Sequence, residues 1–92
     1  MKRQKVTNLY SGHVQGVGFR YAVRNITHGF EVAGMVRNLE DGRVELVAEG
    51  YKEELEAFLE AIRQSEVGYF IRQEQTCWSE AKYEFRGFEI AQ

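Results

Sequence analysis

The 92-residue sequence holds a single cysteine, Cys77. An intrachain disulfide and a zinc site built from cysteine pairs are therefore excluded, and the composition fits a reducing compartment. There is no window of about 18 apolar residues, so no membrane-spanning helix is encoded. The basic stretch Met1–Lys5 runs straight into a strand-like segment and lacks the apolar stretch of a signal peptide. Linkers, low-complexity stretches and internal repeats are missing too. So is an excess of positive charge: 12 Lys and Arg face 14 Asp and Glu, for a formal net charge of −2. A nucleic-acid binder usually carries a basic face, and this chain offers little beyond Lys2, Arg3 and Lys5. The expectation is a cytoplasmic monomer with neither a membrane nor a nucleic-acid partner.

What is present is enough apolar material for one core. The hydrophobic content of 43% argues against disorder, and a chain of this length must bury most of it as one domain spanning 1–92.

Hydrophobic spacing predicts the elements. Gln4–Ser11 reads as a strand. Phe19–His28 reads as a helix, with Phe19, Ala22, Val23 and Ile26 at i, i+3, i+4 and i+7 and Gly29 placed to end it in a left-handed conformation. Val32–Asn38 is a strand, Leu39–Gly42 a turn carrying the Asp-Gly hairpin signal, and Arg43–Glu49 an alternating strand broken by Gly50. Lys52–Gln64 is the clearest helix, with Leu55, Phe58, Leu59 and Ile62 on one stripe. Phe70–Cys77 is a strand, Trp78–Glu84 a loop or hairpin turn and Phe85–Ala91 a last strand. Phe30, Tyr69, Phe70, Phe85 and Phe88 are expected in the core.

The fold class is α+β. The order β-α-β-β-α-β with an extra C-terminal strand is the ferredoxin-like sandwich, with two helices on one face of a mainly antiparallel sheet and the other face largely open. In that topology the first helix descends about 15 Å, and the next strand climbs back about 20 Å. Asn38 is thereby expected beside the loop that precedes the helix.

That loop is the most distinctive segment: Gly12-His13-Val14-Gln15-Gly16-Val17-Gly18-Phe19-Arg20. Glycines between a strand and a helix let several backbone N–H groups point into one concavity. The helix that follows adds free N–H groups and the positive end of its dipole. Arg20 adds a permanent charge and a planar donor fork, at a helix start where a cation opposes the dipole. Together they form a cradle for a small anion. Three glycines in such a connection are more often turn chemistry than a ligand site, a surface salt bridge is an alternative for Arg20, and a turn preference for Asn38. His13 reads as an exposed loop residue and Cys77 as a packed or rim residue. No residue set suggests a metal site or a bound cofactor.

Taken together, these residues resemble the acylphosphatase family. Gly12, Val14, Gln15, Gly16, Val17, Phe19 and Arg20 match its loop motif. Gly34, Val36, Arg37, Asn38, Gly42, Val44 and Gly50 match its second, with Met35 where an aromatic residue is usual. The resemblance is strong over about residues 5–50 and rests mainly on element order beyond. It implies hydrolysis of a small-molecule acyl phosphate to a carboxylate and inorganic phosphate, with neither metal nor covalent intermediate. It implies that Arg20 and the backbone of Gln15, Gly16, Val17, Gly18 and Phe19 hold the phosphate, and that Asn38 orients the attacking water.

Three other readings share these features. A regulatory module could hold the anion without turnover. An RNA-binding domain has the same element order, but its aromatic signature is missing from the third strand, where Arg43–Glu49 stands. A similar domain also occurs attached to a carbamoyl-transfer enzyme.

Overall fold

A computed structural model describes residues 2–91. Five strands, β1 (Arg3–Gly12), β2 (Ala33–Asn38), β3 (Val44–Tyr51), β4 (Ile71–Glu80) and β5 (Phe88–Ile90), form one sheet in the order β4-β1-β3-β2-β5. Every pairing is antiparallel except β2 with β5. Helices α1 (Phe19–Ile26) and α2 (Lys52–Gln64) complete the expected α+β sandwich.

The core lies between the helices and one face of the sheet. Alternation puts Val6 and Tyr10 of β1, Val36 of β2, and Val44, Leu46 and Ala48 of β3 on that face. Phe19 and Val23 of α1 meet them, as do Leu55, Phe58, Leu59 and Ile62 of α2. Glu53 and Glu54 occupy the first turn of α2, where the helix dipole favours them. Glu54 also accepts the Glu31 N–H at 2.9 Å. At the other end the Ser65 hydroxyl donates to the Ile62 carbonyl.

One polar seam crosses this core. Asn8 is fully buried on β1. Its Nδ2 donates to Glu74 Oε1 of β4 at 2.9 Å, and its Oδ1 accepts the Thr76 hydroxyl. Arg63 of α2 closes a fork on the Glu74 carboxylate, with Nε at 2.8 Å and a second guanidinium nitrogen at 3.1 Å. Glu74 raises the Arg63 pKa above its ordinary value. The neighbouring Tyr10 hydroxyl has no hydrogen-bond partner among the described residues, and burial raises its pKa, keeping it neutral.

Several boundaries depart from expectation. α1 stops at Ile26 and passes into a 3₁₀ turn over Thr27–Gly29. The Thr27 hydroxyl donates to the Arg24 carbonyl there, and Gly29 is not left-handed. Gly50 does not break β3; it pairs with Gln4 where a Cβ would come 2.9 Å from the Glu31 carbonyl. Phe70 closes a 3₁₀ turn (Glu66–Phe70) instead of opening a strand. Tyr69, expected in the core, is 89% exposed, and Phe85 is only partly buried.

The largest difference is at the C-terminus. β4 continues through Trp78 to Glu80, where a loop was expected, because it pairs with β1 as far as Gln4. β5 is correspondingly short, and Phe85 lies before it. β4 and β5 sit at opposite edges, so Ala81–Gly87 must cross the sheet. Four strand spacings are about 19 Å, within the extended reach of seven residues, about 23 Å. The crossing runs over the face expected to be open. Glu49, facing away from the helices, is buried there and accepts the N–H groups of Lys82 (2.7 Å) and Tyr83 (3.2 Å). Lys5 pairs with Glu84 at 3.3 Å.

Candidate active site

β1 ends at Gly12, and the chain turns through His13–Gly18 into α1. Val14 is buried and anchors the turn in the core, while the Tyr10 and Phe19 rings pack at 5.0 Å beneath it. Gly16 and Gly18 hold φ of +79° and +81°, the left-handed region that favours glycine. A Cβ on either would meet nothing within 4 Å. Backbone conformation, not crowding, is what requires glycine at both, and the space beside them is open.

Gly18 caps α1 without a side-chain hydrogen bond, and no acidic residue stands in the first turn. The first backbone bond of the helix runs from the Ala22 N–H to the Gly18 carbonyl at 3.0 Å. Among the described residues, no protein acceptor takes the N–H groups of Gln15, Gly16, Val17, Gly18, Phe19 or Arg20. A run of free donors at a helix start attracts an anion. Arg20 is the second residue of α1, half-buried, and joins no ion pair among the described residues. The salt bridge that could have explained it on structural grounds is not found there.

The loop is tied to the β2–β3 hairpin by one side chain. Gln15 Nε2 donates to the Leu39 carbonyl at 2.8 Å and the Arg43 carbonyl at 3.0 Å. These close the hairpin turn, where Leu39 N–H also donates to Arg43 at 2.8 Å. Asp41 accepts the Arg43 backbone N–H (3.1 Å) and Nε (2.9 Å), which lower its pKa, the backbone bond first. Asn38 immediately precedes Leu39. The topological expectation therefore holds: residues 24 and 28 positions apart in sequence are in hydrogen-bond contact, and Asn38 is held next to the loop. The Asn38 Oδ1 is buried and has no hydrogen-bond partner among the described residues.

Sequence reasoning grouped Gln15 with the residues that hold the anion through their backbone. Its side chain has another task, and spacing alone carried no signal of it. Among the described residues no three His, Cys, Asp or Glu side chains gather as metal ligands.

Comparison with known proteins identifies the family. The family model described as Acylphosphatase matches residues 6–90. The chain belongs to the acylphosphatase family. An acylphosphatase of Thermobifida fusca is 37% identical over 89 residues, covering 97% of this chain and 98% of its own. One from Methanospirillum hungatei is 46% identical over 65 residues, 71% of each chain. The crystal structure of the Bacillus subtilis acylphosphatase superposes with a TM-score of 0.87 at 33% identity, over 97% of this chain and 99% of that one. The chain is thus an acylphosphatase-family hydrolase with the ferredoxin-like fold, cleaving acyl phosphates to a carboxylate and inorganic phosphate. No helix among the described residues is long and apolar enough to cross a membrane.

Proposed function

We propose that the backbone N–H groups of Gln15, Gly16, Val17, Gly18 and Phe19, together with Arg20, hold the phosphoryl group, and that Asn38 orients the attacking water. One observation supports this reading: among the described residues, a run of donors and an arginine without partners lie by the strand end whose buried carboxamide oxygen has no donor. The two deficits are complementary to the reactants. A phosphoryl group brings the acceptors that the loop lacks. A water brings the donor that Asn38 Oδ1 lacks, and its hydrogen bond to that oxygen turns a lone pair toward phosphorus.

In this scheme the water oxygen forms a bond to phosphorus in line with the departing acyl oxygen, and the bond to that oxygen breaks. The carboxylate leaves with the electron pair and needs no strong general acid. The water's proton passes to a phosphate oxygen. Catalysis then consists of positioning and charge stabilisation by donors already in place. The chain supplies both without a metal. Its single cysteine supports a cytoplasmic setting. The strap over the sheet face and the net charge of −2 speak against a nucleic-acid partner.

Benzoyl phosphate hydrolysis tests the site. Turnover is expected to survive EDTA, and inorganic phosphate is expected to inhibit competitively. Loss of turnover on chelation, restored by Mg²⁺, or uncompetitive inhibition by phosphate would overturn the scheme.

A further inference from the structure

The ladder between β1 and β4 is regular from Gln4↔Glu80 to Ser11↔Gln73, and the next pair is Gly12↔Ile71. One step on β1 is matched by two on β4, so Arg72 is the extra residue of a bulge. Bulges re-aim the side chain they carry and occur next to active sites. Gly12 makes the irregularity possible. It has φ +129°, and a Cβ there would come 2.4 Å from the Phe70 carbonyl and 2.8 Å from the Arg72 backbone nitrogen. The His13 N–H donates to that same Phe70 carbonyl at 3.1 Å, fixing the start of the loop against the bulge.

The result is a cleft of about 270 Å³ lined by Gly12, His13 and Arg72. Arg72 is exposed and joins no ion pair among the described residues. Glu74, two residues on, is committed to Arg63 and Asn8. The cleft opens where the phosphate loop begins: His13 and Gln15 are two residues apart, so their Cα atoms lie no more than about 7 Å from each other. A guanidinium with no ion pair among the described residues thus stands at the start of the loop proposed to hold the phosphate.

We propose that Arg72 and the Gly12–His13 cleft form a subsite for an anionic group at the far end of the acyl chain, giving the enzyme a preference for acyl phosphates of dicarboxylic acids. This rests on the phosphate position proposed above. The Arg72 fork receives the distal carboxylate with two parallel donors. His13 lines the wall beside it, its ring 6.0 Å from that of Phe70.

The test compares succinyl phosphate with butyryl phosphate, which has the same chain length and no second charge. The unmodified enzyme is expected to show the lower KM for succinyl phosphate. Arg72→Gln is expected to raise that KM by about fivefold, the scale of a partly exposed charge pair. Its kcat and its butyryl phosphate kinetics stay unchanged, which also reports that the variant is folded. Arg72→Lys keeps part of the preference. Equal KM values for the two substrates in the unmodified enzyme, or a parallel change of both in Arg72→Gln, would overturn the subsite alone. Absence of turnover of either substrate by the unmodified enzyme would overturn the phosphate site, and the subsite with it.

Discussion

Two asparagines sit on strands of one sheet with a buried carboxamide oxygen, and they are treated in opposite ways. Asn8 Oδ1 receives the Thr76 hydroxyl and its Nδ2 reaches Glu74, which is itself gripped by Arg63. Asn38 Oδ1 receives nothing from the described residues. The arginines repeat the contrast: Arg63 is paired with two carboxylates, Glu60 and Glu74, and Arg20 with none among the described residues. A buried polar group left without a partner costs about 1–3 kcal/mol. The seam between β1, β4 and α2 meets that demand from within the chain. The corner between the loop and β2 does not, and in the proposed scheme the reactants meet it there. Polar groups that complete one another stabilise the fold, and in the proposed scheme those left incomplete at the corner recognise the phosphate and the water. The Tyr10 hydroxyl is an exception in the core, and nothing in the structure explains it.

The sharpest way to break this comparison is Arg20→Ala. The phosphate is anionic before and during transfer, so KM is expected to rise and kcat to fall. The loss is about 10²-fold or more, as for removal of one preorganised donor, with Tm near that of the unmodified enzyme. Arg20→Lys is expected to rescue poorly, since an ammonium lacks the planar fork. Steady-state kinetics beside thermal melts check both.

Asn38→Ala separates the roles within the corner. kcat is expected to fall by about 10²-fold with KM and phosphate inhibition little changed, because water positioning matters chiefly in the transition state. Near-normal kcat in a folded variant would remove Asn38 from the mechanism.

The mirror experiment is Asn8→Ala. It removes the bond to the Glu74 carboxylate and the bond to the exposed Thr76, so a stability loss of about 1–3 kcal/mol, the scale of a hydrogen bond to a charged group, is expected in urea melts, with kcat and KM unchanged. Between these extremes lies Gln15→Ala. It removes both hydrogen bonds to the hairpin and keeps every backbone donor. We expect roughly tenfold lower activity from a loosened geometry and a moderate fall in Tm, the two effects together marking a positioning residue.

The smallest effect concerns Asp41, exposed at the hairpin turn. Its hydrogen bonds hold its pKa below the ordinary 3.8. The unfolded state then binds the proton more readily, so the contribution is present above that value and is lost as pH falls through the lower folded one. Asp41→Asn is expected to flatten the acid limb of Tm against pH slightly and to leave neutral-pH activity intact.

The proposed site is read from the sequence where chemistry depends on residue type at fixed spacing. Gly16, Gly18 and Arg20 announce a loop with free donors, and alternating element order brings Asn38 back to it. What was hidden depends on where side chains go across the fold. Nothing near Gln15 reveals that its amide reaches Leu39 and Arg43. Trp78–Glu80 reads as a loop because an edge strand needs little apolar alternation, and its pairing to Gln4 is a long-range decision. The strap followed from the same cause: once β4 and β5 took opposite edges, Ala81–Gly87 had to cross, and the acidic Glu49 became a buried acceptor. Tyr69 misled because aromatic character signals a core only when an element turns it inward, and the 3₁₀ turn leaves it outside. Arg72 gave no warning, since a bulge is a register mismatch between two strands and belongs to neither sequence alone.

In the proposed scheme the free donors of the loop, and not the satisfied seam, receive the phosphate. Amide NMR under titration with inorganic phosphate tests it directly. Saturable shifts are expected at the N–H groups of Gln15 through Arg20, retained in Asn38→Ala and weakened in Arg20→Ala, with the amides of Asn8, Glu74 and Arg63 unmoved. Saturable shifts confined to other residues, or none at the loop at concentrations that inhibit turnover, would contradict the account.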